Sequence, residues 1–75
     1  MKNEFLKLAK IIANHLGIKG DRGGWLKDAG GNVICQGWES FTAICVKRNC
    51  IRDRQAPFIP NVDWRKVALW PKIGR

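Results

Sequence analysis

The run Asp28-Ala29-Gly30-Gly31-Asn32 lies between two short apolar stretches and makes the chain reverse on itself. Asp and Asn side chains hydrogen-bond nearby backbone, and adjacent glycines accept positive φ without steric cost. Trp25-Leu26 leads into the turn and Val33-Ile34-Cys35 leads out. That pattern predicts a β-hairpin over residues 24–38, with Trp25 and Trp38 pairing across its outer ends. A lone hairpin is marginal in water, so the rest of the chain must cover it.

Residues 3–16 are predicted to form the covering helix. Asn3 is a competent N-cap, and Glu4 suits the positive end of the helix dipole. At about 100° per residue, Phe5, Leu8, Ile12 and Leu16 form one stripe, widened by Leu6, Ala9 and Ala13. Lys7, Lys10 and Asn14 take the opposite side. Gly17 stands at the left-handed C′ position, with Ile18 placed to fold back on the last turn. Residues 17–24 then read as a flexible basic connector, without the spacing of a phosphate-binding loop.

Residues 39–52 are ambiguous. Phe41 to Val46 is apolar and rich in β-branched residues, which suits a third strand. Glu39 and Ser40 can equally start a helix, and helix is favoured. Gln55 to Asn61 is bounded by prolines and reads as an extended connector that lays Phe58 and Ile59 on the core. Asp63 can cap a short helix over 64–70, stopped by Pro71. No internal repeat is read from the sequence. The fold class expected is α+β: one small domain over residues 1–75, with an N-terminal amphipathic helix on a two- or three-stranded antiparallel sheet. A second helix and a short C-terminal helical segment complete it. A chain of 75 residues buries a modest core and has little room for a deep pocket.

Charge narrows the function. Fourteen Lys and Arg against six Asp and Glu give a formal net charge of +8 and a pI near 10.0. Such a chain favours polyanions: nucleic acid, DNA or RNA, or an acidic protein surface. The densest cationic run holds Lys47, Arg48, Arg52 and Arg54. On a helix, Arg48 and Arg52 would stack at i,i+4, with Lys47 and Arg54 beside them at i,i+7. Arg65 and Lys66 follow Trp64, and Trp70 precedes Lys72. These residues, with Trp70 as the tryptophan expected to be partly exposed, are the candidate contact surface. Trp25 and Trp38 are expected to be mainly buried.

Other chemistry is poorly supported. Cys35, Cys45 and Cys50 are ten and five residues apart, without the close ligand pairs of a zinc site. They read as reduced thiols of a cytoplasmic protein. His15 has no partnered nucleophile beside it, and the acids form no paired motif, so no enzyme activity, metal or cofactor is expected. No run approaches the ~20 apolar residues of a membrane span, and no signal peptide is read.

The helix–hairpin order resembles small nucleic-acid-binding α+β domains, including the double-stranded-RNA-binding domain, whose sheet and second helix would fit residues 23–54. That domain's motifs do not match residue by residue, so no site is carried over. The small basic character also resembles phage-encoded regulators and inhibitors. The function expected is a non-catalytic, regulatory nucleic-acid-binding protein. The alternative is a small protein-binding module or inhibitor that docks on a protein or ribonucleoprotein.

Overall fold

The computed structural model describes residues 3–53 and 60–70. The first helix, α1, spans Asn3–Leu16 as predicted. Its most deeply buried residues are Ala9, Ile12 and Ala13, with Phe5, Leu8 and Leu16 packed at the margin. The predicted cap is present: Gly17 has φ +76, and the Ile18 amide donates to the Ala13 carbonyl at 2.8 Å. Ile18 is thereby drawn into the core.

Three strands follow: β1 at Lys19–Gly20, β2 at Trp25–Lys27 and β3 at Val33–Gln36. They form an antiparallel sheet in the order β1-β2-β3. The hairpin is the predicted one. The third strand comes from the supposed connector, and Phe41 to Val46 is helical. The reason is a second turn of the same design. Asp21-Arg22-Gly23-Gly24 repeats Asp28-Ala29-Gly30-Gly31 seven residues earlier. In each turn one aspartate oxygen accepts from the amides two and four residues on: Gly23 and Trp25 for Asp21, Gly30 and Asn32 for Asp28. The fourth residue, Gly24 or Gly31, sits at φ +84 or +83 and donates to the aspartate carbonyl. The repeat missing from the sequence reading is therefore a pair of Asp-x-Gly-Gly turns.

Leu26 is buried while its neighbours Trp25 and Lys27 are exposed, the two-residue alternation of a sheet with one face on the core. Trp25 thus falls on the outer face, 43% exposed, against the expectation that it would be buried. Nor does it pair with Trp38. It stands opposite Gln36, and the register slips between Leu26 and Lys27 so that Ile34 has no partner there.

Gly37, at φ +88, turns the chain directly from β3 into α2, Trp38–Lys47. Phe41, Thr42 and Cys45 form its buried face, and the Thr42 hydroxyl donates to the Trp38 carbonyl at 2.7 Å. The helix stops five residues short of Arg52. Asn49 adopts φ +62, the Asn49 amide donates to the Val46 carbonyl, and the Cys50 amide to the Cys45 carbonyl at 2.8 Å. These bonds define a Schellman cap, whose apolar contact is the buried Cys45–Cys50 pair. The chain then reverses into β4, Ile51–Asp53, which pairs antiparallel with β5, Pro60–Val62. This second, two-stranded sheet was not expected. The last helix, α3, spans Trp64–Ala68, with the predicted Asp63 cap accepting from the Arg65 amide at 3.1 Å. Phe58 and Ile59, expected on the core, lie outside the described residues.

The result is a small α+β domain. Phe41 lies at its centre, fully buried between Trp38 at 5.9 Å and Trp70 at 5.4 Å. Trp38 is partly buried, and the Lys10 ammonium lies 5.7 Å from its ring centre.

Candidate polyanion-binding face

The end of α2 and α3, apart from its buried Val67, reach the surface side by side. Side chains of α3 line two grooves, one with the end of α2 and one with β4 and β5, so that α3 is the ridge between them. On one side Lys47, Arg48 and Lys66 surround a floor of Ile34, Ile44 and Leu69, in a depression of about 640 Å³. On the other, Arg52, Asp53, Asn61, Trp64 and Arg65 line a depression of about 700 Å³. The expected single basic patch is therefore divided. The helix carrying Lys47 ends before Arg52, and β4 takes Arg52 to the far side of the ridge. The basic row of Arg48 and Arg52 at i,i+4 does not form. Arg65 and Lys66, adjacent in sequence, also fall on opposite sides. Arg54 lies outside the described residues.

Trp70 departs from expectation in a useful way. Its ring is 8% exposed, and the Arg48 guanidinium lies 4.3 Å from its centre. Trp70 thus supports Arg48 from beneath. Stacking on an indole face is worth about 0.5–1 kcal/mol at an exposed site and holds the guanidinium in place before any ligand arrives. Trp64 carries the exposure expected of Trp70, at 47%. It meets His15 edge-on, with ring centres 5.0 Å apart and planes at 63°. Its adjacency to Arg65 was visible in the sequence; which of the two tryptophans faced outward depended on how α3 docks.

The acids explain why the face stays positive. Asp21 and Asp28 are engaged by loop amides, and Asp21 also faces the Lys27 ammonium at 3.8 Å. Asp63 caps α3 and faces Arg52 at 3.5 Å. Glu4 and Glu39 sit in the first turns of α1 and α2, where the helix dipole favours them. Among the described residues, Lys47, Arg48 and Lys66 have no acidic partner within ion-pair distance. Lys47 and Arg48 also gain from the negative end of the α2 dipole.

The thiols are poorly suited to nucleophilic work. Burial pushes Cys45 up to about 12, with Cys50 adding to the effect and Arg48 opposing it. Burial raises Cys50 and Cys35 as well. Thiols held protonated are weak nucleophiles and weak metal ligands. All three are free, and among the described residues no group of three or more His, Cys, Asp or Glu is placed to hold a metal ion. No described helix is long and apolar enough to cross a membrane.

Compared with protein-family models, curated proteins and solved structures, the chain matches none.

Proposed function

We propose that this chain is a small, non-catalytic nucleic-acid-binding protein with a regulatory role, acting in the cytoplasm. The observation that carries the reading is the groove of Lys47, Arg48 and Lys66: three cations without acidic partners among the described residues, one of them fixed over Trp70. Phosphates are the natural complement of such a rim, and the apolar floor of Ile34, Ile44 and Leu69 can lie against sugar carbons. Arg52 and Arg65 lie across the ridge, beside Asp53 and Asp63.

Binding of this kind releases condensed counterions, so it weakens steeply with salt. The test is fluorescence anisotropy with a labelled oligonucleotide across a series of NaCl concentrations. With three phosphates contacted, log affinity should fall with log salt at a slope of about −2 to −3. Absence of binding at physiological salt sinks the proposal.

One observation favours a second reading, a protein-binding module or inhibitor. Leu69 is 45% exposed on the floor of the cationic groove. An acidic amphipathic segment could place its apolar side there and its carboxylates on Lys47, Arg48 and Lys66. Capture from lysate that survives nuclease treatment, together with a shallow salt dependence, would support this reading over the first.

A further inference from the structure

The groove on the Trp64 side of α3 differs in character from the one on the Lys66 side. Among the described residues its two cations, Arg52 and Arg65, are matched by two acids, Asp53 and Asp63. It is therefore close to neutral, a poor trap for phosphate. It offers an indole 47% exposed, oriented by its edge contact with His15. The same groove is lined by Asn61, a half-buried residue whose side-chain amide has two donors and an acceptor. A flat, neutral ligand with hydrogen-bonding edges fits this combination. A nucleobase is such a ligand.

The ridge supplies the geometry. Lys66 lines the cationic groove, and its neighbours Trp64 and Arg65 line the neutral one. A nucleotide strand whose phosphates follow Lys47, Arg48 and Lys66 can turn a base across α3 onto Trp64. In a duplex the bases are stacked and paired, and moving one out costs a few kcal/mol. In a single strand the bases are available for stacking on aromatic rings. We propose that the Trp64 groove holds an unpaired nucleobase, so that the chain prefers single-stranded to duplex nucleic acid. This rests on the nucleic-acid reading above and specifies its substrate class.

The test measures binding of the full chain to three labelled 12-nucleotide probes at one salt concentration. They are a single strand, its duplex, and an abasic single strand with the same phosphates. The wild type should bind the single strand roughly tenfold more tightly than either of the others. Trp64→Ala should lose roughly tenfold on the single strand and change less than twofold on the abasic probe. Trp64→Phe, which keeps an aromatic face, should recover most of the loss. If Trp64→Ala fails to fold by circular dichroism, the wild-type ratio of base-bearing to abasic probe decides alone. Equal affinity for the base-bearing and abasic strands, or a folded Trp64→Ala that binds the single strand as wild type does, overturns the base site while leaving phosphate binding intact. Tighter binding of the duplex than the single strand overturns it as well. No binding to any probe overturns the nucleic-acid reading itself.

Discussion

Asp63 holds α3 in place by two separable means, and two substitutions divide them. Its carboxylate accepts from the Arg65 amide at 3.1 Å and faces Arg52 at 3.5 Å. Its backbone amide also donates to the Cys50 carbonyl at 2.8 Å, a bond that any residue except proline retains. Asp63→Asn keeps an oxygen for the cap but removes the charge. The Arg52 side chain is 62% exposed, so the ion pair contributes little. With the dipole contribution, the charge is worth about 0.5–1 kcal/mol. Asp63→Ala also removes the cap, which adds about 1 kcal/mol. The losses are then about 0.5–1 kcal/mol for Asn and about 1.5–2 kcal/mol for Ala. In a domain of this size each kcal/mol moves Tm by roughly 4–8 °C. Thermal melts followed by circular dichroism should place Asn about 4 °C below wild type and Ala about 10 °C below. Two variants melting together would refute the cap as what holds α3, the element that carries Trp64, Arg65 and Lys66.

Phe41→Ala empties the contact between Trp38 and Trp70. It should cost about 3–5 kcal/mol, read as a lower urea midpoint at unchanged m; a loss below about 1 kcal/mol would mean that Phe41 is not the centre of the core. Alkaline pH should destabilise the fold through Cys45. Its folded pKa, about 12, lies above the unfolded thiol value, so the folded state holds a proton the unfolded state gives up. Its contribution is fully present below about pH 8.5 and is lost as pH rises towards 12, by up to about 1.4 kcal/mol per pH unit. Denaturation between pH 8 and 10.5 should show a steeper decline for wild type than for Cys45→Ala, and parallel declines would refute the assignment.

Local signals in the chain were legible where one residue type settles the backbone. Gly17 ends α1 and Asp28 shapes the hairpin because each fixes a short-range hydrogen-bond pattern. Asp21 carries the same pattern, but β1 is two residues long and leaves almost no apolar alternation to read. The end of α2 was hidden because Asn49 takes the left-handed position more often filled by glycine, and because cysteines form the apolar contact of the cap. That reversal moved Arg52 away from Lys47 and Arg48, so charge density along the chain overstated their proximity. The tryptophans failed for a different reason. In β2, either Trp25 or Leu26 could have faced the core, and only docking against the helices decides. The same holds for Trp64 and Trp70 around α3.

In the proposed function Lys47, Arg48 and Lys66 form one phosphate-binding rim. It is tested by the salt dependence of oligonucleotide binding for wild type and for the triple variant Lys47→Gln, Arg48→Gln, Lys66→Gln, after circular dichroism establishes that the variant folds. Three lost contacts should flatten the slope of log affinity against log salt by roughly 2–3 units and weaken binding most at low salt. A folded triple variant with the wild-type slope and affinity would contradict the claim.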